Sequence, residues 1–237
     1  MNWLTPALSS AVISMAVFVA AYAYLYGKRR RQSDLGLWAL GWAAYLGLCL
    51  GLLAEMFLPL AMLWCYLSLV LLGLSAFLLW AGTCHFVGPP PSRRAYAWGV
   101  LPVIWAAVAF LGLEERPWLV IPIFLFASAA NLFTAASLYR YSRSSEGLGS
   151  AIVAALGYGL WGILELICPF IHIILSPPLN VLPLGLLLAN GLTLGLAIFL
   201  IGLHMQKRGR MARQQAKQLN SLRTIAAAVS QALKPDE

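Results

Sequence analysis

The sequence predicts an all-α integral membrane protein: a seven-transmembrane-helix bundle with its N-terminus outside, its C-terminus cytoplasmic, and a C-terminal cytoplasmic helix that pairs as a coiled coil. Three observations predict it. Apolar residues make up 61% of the chain and charged residues 10%, far from the roughly half and quarter of soluble domains. Seven apolar stretches reach the length of about 20 residues needed to cross about 30 Å of hydrocarbon. Lysine and arginine gather after every second stretch only, as they do in the cytoplasmic loops of membrane proteins.

The stretches cover residues 3–26, 35–53, 60–86, 96–113, 118–139, 148–168 and 181–204. The first has no basic residues ahead of it and is too long for the apolar core of a signal peptide, so it reads as a retained span. Its cations, Lys28, Arg29, Arg30 and Arg31, come after it. Arg93 and Arg94 follow the third stretch, Arg140 and Arg143 the fifth, and Lys207, Arg208, Arg210 and Arg213 the seventh. Of 16 cations only Arg116 falls on the opposite face, beside Glu114 and Glu115. A shifted or even number of spans would scatter these clusters over both faces. The net charge of +8 therefore reflects topology and attraction to anionic inner-leaflet lipid, and nucleic acid is not an expected partner.

The outward connections "EMFLP", "EERP" and "FIHIILSPPLN" leave no room for a folded extracellular domain, and the inward ones carry no catalytic module. Neither a phosphate-cradling glycine loop nor H-E-x-x-H occurs. A stimulus must therefore meet the helices themselves, which favours a small hydrophobic or amphipathic ligand. Cys49, Cys65, Cys84 and Cys168 lie in or at the edges of spans without a C-x-x-C pair, and read as small core residues. No cofactor is expected.

Two domains follow: a transmembrane sensor domain, 1–204, and a cytoplasmic signalling helix, 205–237. After His204 the hydropathy collapses while helix formers persist. Ala212, Leu219, Ala226 and Leu233 share one heptad position, and Gln215, Leu222 and Val229 another, the a and d spacing of a two-stranded coiled coil. A second copy of the same helix is the simplest partner, making a parallel homodimer. The competing reading is an amphipathic helix lying on the bilayer, which would show a broader apolar face.

The final "LRTIAAAVSQALKPDE" resembles the helix that opens GAF domains in bacterial sensor histidine kinases and diguanylate cyclases, where IA-x-x-V-S-x-x-L precedes a short acidic segment. "YGKRRRQSDLGLWALGWAAYLGL" is similar to the start of many multi-span bacterial sensor regions, with Trp38 and Trp42 early in the second span. The resemblance implies a bacterial inner-membrane receptor whose output, a kinase or a cyclase, lies further along the same polypeptide. It also implies that this chain stops just before the GAF domain. No catalytic residue is expected in the chain itself.

Ionisable groups within spans are functional candidates. Glu165, in the sixth stretch, must be protonated, hydrogen-bonded or facing water, and is the first candidate for ligand contact or proton sensing. Glu55 stands at the end of the second stretch, where a long acidic side chain reaches the headgroups. His172 follows Glu165 by seven residues and would share its helix face if the helix passed Pro169, which a proline makes doubtful. Together the three would form a polar pocket at the outer mouth; a metal there lacks a second ligand at recognisable spacing. Asn131 and Thr134 in the fifth stretch, and Asn190 and Thr193 in the seventh, either bond between helices or face a cavity. Trp161, Tyr158, Trp105 and Tyr66 either fill packing or line an apolar pocket. His85 and His204 read as interfacial histidines.

Three other functions compete. A retinal protein needs a lysine in the last span, and residues 181–203 contain none. A small seven-span transporter would show related halves, and "GLWALGW" against "GLWGILE" is too short an echo to supply them. A lipid-acting enzyme using Glu165 and His172 as acid and base lacks supporting polar groups.

Overall fold

The computed structural model describes residues 4–28, 32–59, 61–88, 91–112, 117–144, 149–175 and 181–232. Among them the chain is helical apart from short turns, without a strand. The helices are α1 (Leu4–Lys28), α2 (Ser33–Phe57), α3 (Ala61–Val87), α4 (Arg93–Ala97), α5 (Leu101–Gly112), α6 (Ile121–Ser142), α7 (Ser150–Leu175) and α8 (Val181–Ala232). Five segments are long and apolar enough to cross a membrane: Thr5–Lys28, Ser33–Phe57, Leu63–Val87, Trp118–Ser142 and Ser150–Phe170.

The expected fourth span is broken. It begins as α4, passes through a 3-10 turn at Trp98–Val100 and resumes as the 12-residue α5. Pro102 supplies the reason: it has no N–H to give and its ring presses on the carbonyl four residues back, at Trp98. The tighter turn relieves that clash. Pro169 has a different outcome. α7 runs through it to Leu175, so the helix that the sequence reading ends at residue 168, with 170–175 given to a loop, is about two turns longer. Apolar spans tolerate proline because neighbouring helices re-satisfy the freed backbone.

Six helices close into a ring in which α1 packs on α2, α2 on α3, α3 on α6, α6 on α7, α7 on α8, and α8 back on α1. The α5 helix stays outside, against α3. The ring encloses a column of buried aromatic side chains, Tyr22, Trp38, Trp42, Tyr45, Phe86, Tyr141, Tyr158 and Trp161. A smaller cluster, including Val70, Ala106, Ile123 and Ala127, seats α5 and α6 on α3. On α2 the inward positions Leu35, Trp38, Trp42, Tyr45 and Cys49 recur at three- and four-residue spacing, one face of a helix.

Small residues let these helices approach. A Cβ on Gly82 of α3 would lie 2.5 Å from Trp38 Cδ1 and 3.2 Å from the Asp34 carbonyl oxygen. Trp38 cannot move aside freely, being fully buried and donating through Nε1 to Thr83 Oγ1 at 3.3 Å. Gly82→Ala is therefore expected to cost about 1–3 kcal/mol through overpacking. Thermal unfolding in detergent, followed by circular dichroism, should show a lower midpoint.

Beyond the ring α8 continues without interruption. Its 52 residues extend over about 78 Å at 1.5 Å per residue. Leu196, Ala197, Leu200, Leu203 and His204 are buried in the ring, whereas every described side chain from Gly209 onward is exposed. Residue 204, where the sequence reading divides the chain, lies within α8.

Candidate functional site

The α6 and α7 helices meet through two polar rungs. Ser128 and Asn131 are three residues apart on α6, and Gly162 and Glu165 three apart on α7, so each pair shares a helix face. Ser128 Oγ donates to the Gly162 carbonyl at 2.7 Å. Asn131 Nδ2 donates to Glu165 Oε2 at 2.8 Å. Gly162 permits the approach, since a Cβ there would lie 2.9 Å from Leu132 Cγ and 3.1 Å from the Ser128 carbonyl.

The second rung is sealed from the surface. Asn131 is fully buried and Glu165 only 7% exposed. Neither Glu165 Oε1 nor Asn131 Oδ1 has a hydrogen-bond partner among the described residues. Pro169 also deprives the Glu165 backbone carbonyl of its usual donor four residues on. The rung thus leaves two buried oxygens without a partner among the described residues. A buried unsatisfied polar group costs about 1–3 kcal/mol, which the surrounding packing must offset.

That packing is aromatic. Trp161 stacks on Trp42 at 6.2 Å between ring centroids with 9° between planes, and on Tyr158 at 5.9 Å with 28°. Tyr45 meets the Trp161 ring edge-on at 5.6 Å. Tyr45 is within electrostatic reach of Glu165 and hydrogen-bonds with the Thr193 side chain of α8. A second tie runs from Tyr22 of α1, whose hydroxyl donates to the Ala197 carbonyl of α8 at 2.7 Å. Tyr45 thus joins the aromatic packing of the site to α8.

Of the sequence candidates, Glu165, Asn131, Trp161, Tyr158 and Thr193 come together here. Asn131 takes the interhelical role, while Thr134 donates to the Ala130 carbonyl of its own helix at 2.8 Å. Glu55 is exposed near the end of α2, with Cys65 of α3 as its electrostatic neighbour. His172 and Asn190 lie on α7 and α8, and their side chains fall outside the described residues. Trp105 belongs elsewhere: its Nε1 donates to the Leu119 carbonyl at 2.8 Å, and it lines an apolar groove of about 230 Å³ with Leu101, Ile104, Pro122 and Phe126. Tyr66 packs at the edge of the smaller cluster. Among the described residues no three His, Cys, Asp or Glu side chains gather as a metal site.

On α8, Ala212, Gln215, Leu219, Leu222, Ala226 and Val229 are all exposed, and Leu233 falls outside the described residues. Leu219, Leu222 and Val229 expose 61, 62 and 52% of their surface, an apolar row that nothing described in this chain covers. Ile225, which the heptad reading passes over, is exposed beside them.

Sequence reasoning missed Tyr45, although its place on the 35–38–42–45–49 face of α2 was readable. It also passed over Asp34. His204, taken for an interfacial histidine, is instead 4% exposed, with Nδ1 3.1 Å from Asp34 Oδ2. The available signal was a single acid three residues after a run of four cations, at a helix start.

No protein-family model matches the chain, nor does any curated protein or solved structure.

Proposed function

We propose that the chain is the membrane-embedded sensory module of a bacterial signalling receptor. It resides in the inner membrane with seven spans, its N-terminus outside and the end of α8 in the cytoplasm. The fourth span is the broken α4–α5 segment, and the seventh is the first half of α8. The observation that carries this reading is the continuity of α8: one rigid helix is buried in the ring through Leu196, Leu200 and Leu203 and bears the exposed row Leu219, Leu222 and Val229 far outside it. A helix so built transmits packing changes, because a rotation at one end appears at the other.

Within this reading the Asn131–Glu165 rung is the ligand-responsive site. Its unpartnered oxygens accept hydrogen bonds, which favours a small ligand that donates them, and its aromatic walls suit an amphipathic one. The closed packing means that α6 and α7 part when such a ligand enters, so ligand affinity differs between two packings, as population shift requires. The apolar row pairs with that of a second copy, and a kinase or cyclase domain downstream in the same polypeptide reads the pairing.

Native mass spectrometry of the full chain released from mild detergent tests this. A dimer retaining a small molecule is expected, and the molecule's mass identifies its class. An empty monomer would sink the reading.

A further inference from the structure

Where α8 leaves the ring, three neighbouring side chains each grip a different helix. His204 meets Asp34 on the first turn of α2. Gln206 Oε1 accepts from Ser150 Oγ, at the first residue of α7, at 2.6 Å. Lys207 Nζ donates to the carbonyl of Phe86, one residue before the end of α3. The ammonium group also lies 4.6 Å from the centroid of the Phe86 ring and 5.7 Å from that of Tyr141 on α6. One turn of α8 is thereby joined to α2, α3, α6 and α7.

The chemistry suits the helix ends. The first turn of α2 carries partial positive charge and the last turn of α3 partial negative charge. Asp34 complements the first and Lys207 the second, capping a carbonyl at a helix end that lacks a helical donor. A carboxylate only accepts, so His204 Nδ1 carries the hydrogen that joins α8 to Asp34. The pair is largely buried, with side chains 6% and 14% exposed, which shields it from the screening that weakens surface pairs. His204 packs its ring 6.5 Å from Phe86 between centroids, so the Asp34 and Lys207 contacts share one wall.

We infer that His204, Gln206 and Lys207 form a latch that holds α8 in one rotational setting against the ring, and that opening it is the step by which a change in ring packing reaches the cytoplasmic row. The latch rests on the sensory reading above. Its geometry makes it two-state: rotating α8 by about 100°, one residue of a helix with 3.6 per turn, removes all three side chains from their partners together. Interfaces with two discrete packings, unlike continuously deformable ones, convert small shifts into such steps.

Hydrogen–deuterium exchange on the full chain in nanodiscs tests the latch without requiring a dimer. Asp34→Leu and Lys207→Met are expected to speed exchange of the 203–210 amides at least threefold while leaving those of residues 125–140 unchanged. Exchanging the partners, Asp34→His with His204→Asp, is expected to restore most of the protection, which a merely structural defect would not allow. Unchanged exchange in Asp34→Leu and Lys207→Met overturns the latch. Disulfide formation through Val229→Cys in membranes then reads the coupling: its rate is expected to change at least threefold when Asp34→Leu is added. A wild-type background that cross-links equally well with and without Asp34→Leu overturns the coupling alone. A background that never cross-links refutes the paired output helix, while the exchange data still decide the latch.

Discussion

Glu165→Gln is expected to leave the bundle folded and raise its thermal midpoint, whereas Glu165→Leu lowers it. In the protein Asn131 Nδ2 donates to Glu165 Oε2, while Glu165 Oε1 and Asn131 Oδ1 have no hydrogen-bond partner among the described residues. A glutamine amide retains an acceptor for Asn131 Nδ2 and adds an N–H for Asn131 Oδ1, the reciprocal pairing of two amides. Relieving one such buried oxygen is worth about 1 kcal/mol, and about 2–4 °C per kcal/mol in a chain of this size. Leucine removes both possibilities and strands the Asn131 amide, at a cost of about 1–3 kcal/mol. Tryptophan fluorescence during thermal unfolding in detergent checks both variants, since Trp42 and Trp161 stand against the site. If Glu165→Gln unfolds at a lower temperature than Glu165→Leu, the acceptor-rich account of the rung is wrong. For signalling, the same substitution is expected to abolish the response to a donor ligand, because the new N–H occupies the oxygen such a ligand needs.

The second large effect belongs to the other end of the molecule. On the proposed pairing of α8, Leu219→Asp combined with Leu222→Asp is expected to convert a dimer to monomer while leaving the helical content and the bundle's thermal midpoint unchanged. Both leucines are more than 60% exposed and lie far from the ring, so no described packing of the ring depends on them. Burying a leucine is worth about 1.5–3 kcal/mol, and a symmetric dimer counts each position twice. Losing even half of that total is at least a hundredfold in dissociation constant, given about 1.4 kcal/mol per tenfold. Light scattering corrected for bound detergent measures it. An unaltered dimer would place the contact between bundles and not along α8.

The two sites differ in how far the sequence discloses them. Five of the expected spans are present as helices long and apolar enough to cross a membrane, because in hydrocarbon each segment must satisfy its own backbone and a long apolar run has no alternative to a helix; the fourth is broken at Trp98–Val100. The uninterrupted passage from the seventh apolar stretch into the signalling segment was equally legible, since helix formers persist there while only polarity changes. Glu165 stood out as a carboxyl group within an apolar segment, and the α8 row as a heptad repeat. Local rules also explain the break at Trp98–Val100 once Pro102 is noticed, although the apolar run across 96–113 conceals it.

What the sequence by itself determined is therefore the five membrane-length helices, the cost of Glu165 and the row along α8. Only the tertiary structure decided that α5 stands outside a six-helix ring, that Asn131 is the partner of Glu165, and that Asp34 waits 170 positions earlier for His204. The physical reason is that lipid is as apolar as a protein core. An inward leucine and a lipid-facing one are then interchangeable in the pattern, so which faces meet is written in close approach at glycines such as Gly82 and Gly162, and in hydrogen bonds between residues far apart in the chain.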